Sequence, residues 1–431
     1  MAVFITAYCF IASDKVNKTI VSVLGASSML LLGLVSFNEA VAAIDLNVIF
    51  LLVGMMTSVY ILSRTGFFEW VAVGVAKRAK GDPWLIMLFL LTVTAVLSAF
   101  LDNVTTIIML VPVTILIMQL LDISPVPFVI MEAIVSNIGG TSTLIGDPPN
   151  IIIGSQADLS FNSFITNLGP PVLIIFAVFM FTVYLIFRKR FHVAESTRKR
   201  VIDAIPALAI IDRKKMVRSL SVFGLIFAGF FLHNMLGIKP GIIALGGSMI
   251  MLLVCGEESE DTLMRVEWGI IFFFIGMFMM IAALEANGIM TWLGYNIIHL
   301  AGKDLFLVCI VVLWGSAIFS ALLDNIPFVI TMVPLVRQFV VYFAGMSGVT
   351  DPAIVQVQIA EPLWWSLALG ACLGGNGTLI GASSNIVMAR ISEKNKYPVT
   401  FTRFFKYGFA FMAQSMIICT LYIWIRYFMR V

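Results

Sequence analysis

Asn137-Ile138-Gly139-Gly140-Thr141-Ser142-Thr143-Leu144-Ile145-Gly146-Asp147-Pro148-Pro149-Asn150 interrupts an otherwise apolar run. A second copy, Gly374-Gly375-Asn376-Gly377-Thr378-Leu379-Ile380-Gly381-Ala382-Ser383-Ser384-Asn385, interrupts another run 235 positions after the first. Across Gly139–Asn150 and Gly374–Asn385, seven of twelve residues are identical. Glycine permits unwound backbone, and Pro148-Pro149 stops a helix from running through. The surroundings are those of a membrane protein: 60% of the 431 residues are hydrophobic and only 12% are charged, against roughly 25% charged in a soluble domain. Broken backbone at membrane depth is tolerated only where it is buried or lines a wet cavity.

The copies belong to a longer repeat. Shifted by 222, Gly54-Met55 falls on Gly276-Met277, Gly66 on Gly288, Trp70 on Trp292, Asp102-Asn103 on Asp324-Asn325 and Pro112 on Pro334. One register held from Gly54 to Pro112, with thirteen residues inserted before the second motif, marks a duplication. The expected organisation is a first repeat at 1–187, a basic cytoplasmic linker at 188–218 and a second repeat at 219–431. The linker holds ten Lys/Arg against Glu195, Asp203 and Asp212.

Basic loops stay on the cytoplasmic side. That places Lys15/Lys18, Arg64 to Lys80, the linker and Arg390 to Lys406 inside, and the Lys/Arg-free stretches 38–46, 157–167 and 344–358 outside. The acidic loop 255–268 must then also lie inside. The assignments agree if each half crosses five times and 83–121 and 304–343 are hairpins that re-enter on their own side. An odd number of crossings inverts the second half. The expected fold is an all-α polytopic membrane protein with two inverted repeats of five spans, each with a re-entrant hairpin and a discontinuous helix. Met1–Ala12 lacks a basic n-region and a cleavage site, so it reads as a short first span, not a signal peptide. Stretches 66–80 and 288–302, with Trp70 and Trp292, suit helices lying along the interface.

Inverted-repeat transporters bind their solutes near the midplane, at broken helices. Four breaks are present here: the two glycine motifs and the hairpin tips at Asp102-Asn103 and Asp324-Asn325. Candidate solute-binding residues are Asp102, Asn103, Thr105, Asn137, Thr141, Thr143, Asn150, Asp324, Asn325, Asn376, Thr378, Ser383 and Asn385. A carboxylate within a span costs ~2.5–3.5 kcal/mol or more and is a functional hypothesis by default. Asp102 and Asp324 could alternatively cap the helices that follow them, and Asp147 could be a turn residue. Glu132 lies inside an apolar run where it can cap nothing. Glu132 faces Leu367 in the repeat and Asp147 faces Ala382, so proton coupling is expected from these two unmatched acids. Five scattered cysteines and the isolated His192, His233 and His299 indicate no disulfide, metal or other cofactor site. No catalytic or nucleic-acid-binding pattern is present; the GxGD motif of intramembrane aspartyl proteases is missing at Leu144-Ile145-Gly146-Asp147.

Phe100-Leu101-Asp102-Asn103-Val104-Thr105-Thr106 with 137–150, and Leu322-Leu323-Asp324-Asn325-Ile326-Pro327-Phe328 with 373–385, resemble the signatures of the ion transporter superfamily. Within it they are most similar to the branch of ArsB-type arsenite permeases and animal pink-eyed-dilution proteins. The resemblance implies a scaffold domain and a transport domain, an elevator-type motion in a homodimer, and proton-driven efflux of arsenite and antimonite across the cytoplasmic (inner) membrane, with a cation/proton or anion transporter, or a channel, of the same fold as the alternative. In the sodium–dicarboxylate relatives the tips read Ser-Asn-Thr. An aspartate at each tip here disfavours an anion and favours a neutral solute, a proton or a cation. Cys372 is the one thiol near the motifs.

Overall fold

The computed structural model describes residues 1–13, 16–188, 191 and 193–429. Lys15, Lys189, Arg190 and His192 lie outside the described residues, as do the side chains of Ser196 and His299.

The first half contains α1 (Ala2–Ser13), α2 (Lys18–Leu31), α3 (Leu46–Ser63), α4 (Phe67–Arg78), α5 (Pro83–Phe100), α6 (Asn103–Leu120), α7 (Val126–Gly140), α8 (Pro148–Gln156) and α9 (Phe161–Phe187). The second contains α10 (Arg213–Leu236), α11 (Pro240–Cys255), α12 (Trp268–Ala286), α13 (Ile289–Ala301), α14 (Leu305–Leu322), α15 (Asn325–Ser347), α16 (Glu361–Gly374), α17 (Ser383–Lys394) and α18 (Phe401–Ile423). Among the described residues there is no strand, and nine helices are long and apolar enough to cross a membrane. The protein is an integral, multi-pass membrane protein. The expected first span, α1, has only 12 residues, about 18 Å at ~1.5 Å per residue, shorter than a ~30 Å hydrocarbon core. The apolar segment after it also stops early, because α2 ends at Leu31 and a short helix capped by Ser36 and Glu39 follows.

Two helix pairs form matching close contacts. In α3, a Cβ on Gly54 would stand 2.3 Å from the Ala244 backbone of α11; in α12, one on Gly276 would stand 2.6 Å from Ser22 of α2. The polar ends match as well. Gly241 N–H donates to Asn47 Oδ1 at 2.8 Å, and at the equivalent place Thr19 Oγ1 donates to Gly269 O at 2.8 Å.

The connecting segments gather into two groups. Glu257 pairs with Lys215 at 2.8 Å and Arg64 at 3.4 Å, while Arg198 pairs with Asp82 at 3.7 Å and Arg200 with Asp122 at 3.5 Å. The acidic loop therefore meets the basic linker. In the other group, Gln156 Nε2 donates to Asp45 at 2.7 Å and Arg337 donates to Gln156 O at 2.6 Å.

Candidate functional site

The two glycine motifs fold alike and repeat most of their side-chain bonds. The α7 helix stops at Gly140 and the chain resumes as α8 at Pro148; α16 stops at Gly374 and resumes as α17 at Ser383. Asn150 Nδ2 donates to Thr141 O at 3.1 Å and Thr143 O at 2.8 Å, which ties the first break into a loop. Asn385 Nδ2 does the same with Gly375 O at 2.8 Å and Thr378 O at 3.0 Å. Each break is clamped to its hairpin by hydroxyls: Ser98 to Ser136 O at 2.6 Å and Thr143 to Ala99 O, then Ser320 to Ala371 O at 2.6 Å and Thr378 to Ala321 O at 2.5 Å. Backbones touch at these clamps. A Cβ on Gly139 would lie 2.2 Å from Ala95 O, and one on Gly374 would lie 2.5 Å from Ala317 Cα.

Asn137 sits at the meeting point of the two halves and is fully buried. Its Oδ1 accepts from Asn103 Nδ2 at 2.9 Å and from Ser384 Oγ at 2.8 Å. Its Nδ2 donates to Asn376 Oδ1 at 2.9 Å and Asn385 Oδ1 at 3.2 Å. One amide thus joins the first tip to both sides of the second break. Asn376 Nδ2 is buried and has no partner, a donor left over in a closed polar cluster.

Both tip aspartates act as helix N-caps. Asp102 accepts from Thr105 N–H at 2.9 Å and from the Thr105 hydroxyl. Asp324 accepts from Ile326 N–H at 3.3 Å, from Ser383 Oγ at 2.9 Å and from Lys18 Nζ at 2.5 Å. Asp147 begins α8 without a side-chain cap. Its oxygens instead accept from Asn325 Nδ2 at 3.3 and 3.5 Å, so the second tip reaches the first break. Asp147 lies in the electrostatic field of both Asp102 and Asp324. Glu132 is separate: Oε1 accepts from Thr114 Oγ1 at 2.6 Å, and Oε2 is buried without a partner.

The structure therefore divides the sequence candidates. Asn103, Asn137, Asn376 and Asn385 share one network, Asn325 joins Asp147, and Ser383 joins Asp324. Thr141, expected to face solute, donates back to Asn137 O at 2.7 Å. Thr143, Thr378 and the Asn150 amide likewise hold backbone, because an unwound helix leaves carbonyls that must find donors. Sequence reasoning did not place Lys18, Ser98 or Ser320 here. Cys372 does enter the cluster, donating from Sγ to Asn150 Oδ1 at 3.3 Å. Among the described residues no group of three His, Cys, Asp or Glu side chains could hold a metal ion.

An all-helical membrane chain whose paired helix breaks meet hairpin tips in a buried polar cluster has the build of a solute transporter. The comparisons agree. The model of the citrate transporter family CitMHS matches residues 8–370, and the chain belongs to that family. An uncharacterized transporter of Mycobacterium tuberculosis is 39% identical over 435 residues, covering 99% of this chain and 98% of that protein. The 46 kDa membrane protein of Mycobacterium leprae is 38% identical over 431 residues, with the same coverage. The P protein of Mus musculus is 32% identical over 98% of this chain and 59% of its own length. The chain is a membrane transporter and not an enzyme.

Proposed function

We propose that the chain is a proton-coupled secondary transporter that exports arsenite and antimonite across the cytoplasmic membrane. The observation that carries this reading is the Asn103–Asn137–Asn376–Asn385–Ser384 cluster, a set of neutral amides and a hydroxyl with one open donor at Asn376. Arsenite at neutral pH is an uncharged trihydroxide that such groups can match by giving and accepting hydrogen bonds. Asp102 and Asp147 around the cluster disfavour an anion, while Asp324 is neutralised by Lys18. A lone thiol, Cys372, avoids the multi-thiol grip that would hold trivalent arsenic too tightly for release. Protons are assigned to Glu132 and Asp147, the acids without a counterpart in the other half.

The arrangement we attach to this function is an inverted pair, 1–187 and 219–431, joined by the linker 188–218. The meeting of Glu257 with Arg64 and Lys215 supports putting the acidic loop on the cytoplasmic side. In this reading α2, α3, α11 and α12 form the scaffold, the hairpins and breaks form an elevator, and two copies pair in the bilayer.

The description of the matching family as a citrate transporter favours a second reading, a carboxylate or cation transporter on the same fold. Proteoliposomes with an imposed proton gradient separate the two. Gradient-driven accumulation of arsenite and antimonite, with none of citrate or sodium, is expected. Citrate or sodium accumulation without arsenite would replace the first reading by the second.

A further inference from the structure

The hairpin tips are equivalent in sequence but unequal in charge. Asp102 accepts from the Thr105 N–H and hydroxyl. Asp324 is met by the Lys18 ammonium at 2.5 Å, contributed from 306 residues away. Ser383 closes a triangle, accepting from Lys18 Nζ at 3.1 Å and donating to Asp324 Oδ2 at 2.9 Å. The repeat register that puts Asp102 on Asp324 puts Lys18 on Pro240, so the matching helix α11 offers no ammonium to the first tip.

Lys18 is held by its own surroundings. Asn17 caps α2 by accepting from Thr19 N–H at 2.9 Å, Thr19 bonds to Gly269 of α12, and the ammonium lies 5.6 Å from the centre of the Phe273 ring. The Lys18 side chain keeps 30% of its surface exposed and that of Asp324 only 13%, so water screens the pair only in part. On its open side Lys18 faces a cavity of about 450 Å³ that is also lined by Asn17, Glu267 and Arg390. Among the described residues, the other charged or titratable groups within reach of Asp324 are Tyr8 of α1 and Asp147 at the head of α8, with Asp102 and Glu267 further along the same field.

We propose that Lys18 is a tethered counter-cation, occupying at the second tip the place an exchangeable cation would take and leaving Asp102 and Asp147 for the exchangeable proton. An ammonium on a four-carbon stem cannot leave as sodium can, so Asp324 stays ionised and neutralised whether or not sodium is present. Removing one partner of a shielded pair strands the other charge. A small cation or a proton can then take its place, as either favours the surviving carboxylate or abolishes its charge. The inference rests on reading the tips as the solute site. Its test uses no solute, so its failure and the failure of that reading stay distinct.

The thermal unfolding midpoint of the detergent-purified full chain tests the proposal, in sodium chloride or choline chloride of equal ionic strength. Wild type should show one Tm in both salts at pH 8. Lys18→Gln in choline at pH 8 should unfold at least ~3 °C lower, and should recover most of that loss in sodium or at pH 5.5. Lys18→Gln/Asp324→Asn, neutral at both places, should recover it in choline at pH 8. If Lys18→Gln yields no folded protein, the double variant must still fold. Any other pattern overturns the proposal, including a sodium-dependent wild type, an unchanged single variant, or a loss that neither cation, acid nor the second substitution repairs.

Discussion

Asn137 and Cys372 occupy the same place in the two repeats, and each donates across the centre to the closing asparagine of the opposite break: Asn137 Nδ2 to Asn385 Oδ1 at 3.2 Å, Cys372 Sγ to Asn150 Oδ1 at 3.3 Å. The geometry is duplicated, yet the donors differ in strength, since a thiol is a weak donor and a carboxamide both donates and accepts. The first half therefore carries the richer network. Asn137 has four partners in it, and Cys372 adds one weak bond.

Asn137→Ala should be far more damaging than Cys372→Ala. It strips partners from Asn103, Ser384, Asn376 and Asn385, each buried group costing ~1–3 kcal/mol when unsatisfied. Transport should fall at least about tenfold, the factor that ~1.4 kcal/mol commands. Cys372→Ala should stay within about twofold of wild type, because only a weak donor is lost. Equal losses in a proteoliposome uptake assay would show that the asymmetry has no functional weight.

Gly139→Ala and Gly374→Ala should lower the unfolding midpoint, because the new methyl meets the backbone at Ala95 or Ala317. Overpacking of this kind costs about 1–3 kcal/mol. Gly74→Ala is the control: nothing lies within 4 Å of its Cβ position, and in a helix alanine is favoured by ~1 kcal/mol. A midpoint for Gly139→Ala at or above that of Gly74→Ala would mean that the breaks do not pack against the hairpins as described.

The sequence made the breaks legible because glycine, proline and the 222- and 235-residue registers all fall on them. The stretches 66–80 and 288–302 fold as the helices α4 and α13. The sequence could not say which acceptor a hydroxyl finds. Thr143 and Thr378 read as solute donors, and the structure gives their hydroxyls to Ala99 and Ala321. Lys18 read only as a loop charge, since nothing local to residue 18 points to a carboxylate 306 positions later. The capping alternative for Asp102 and Asp324 was visible from position alone, and both side chains do cap.

The ion-paired loops give a topology test. In a chain with exposed Cys9 replaced, single cysteines at Ala157 and Val349 should label with an impermeant reagent from outside intact cells. A cysteine at Leu208, which is 81% exposed within the linker, should label only after the membrane is opened. External labelling at Leu208 together with Ala157 would break the inverted arrangement.

The last prediction separates the two unmatched acids. Glu132 precedes Asn137 by five residues on α7, about 7–8 Å at ~1.5 Å per residue, and its hydrogen bond goes to Thr114 of α6 rather than into the cluster. Asp147 holds the second tip through Asn325. Glu132→Gln keeps an oxygen for Thr114 and removes only the titratable proton, so solute exchange down its own gradient should persist while proton-driven accumulation is lost. Asp147→Asn replaces one acceptor oxygen facing Asn325 with a second donor, so exchange and accumulation should fall together. Everted vesicles loaded for counterflow, then energised with a proton gradient, measure both quantities on one preparation. Accumulation at the normal rate in Glu132→Gln would remove Glu132 from the mechanism and leave Asp147 and Asp102 to carry the proton.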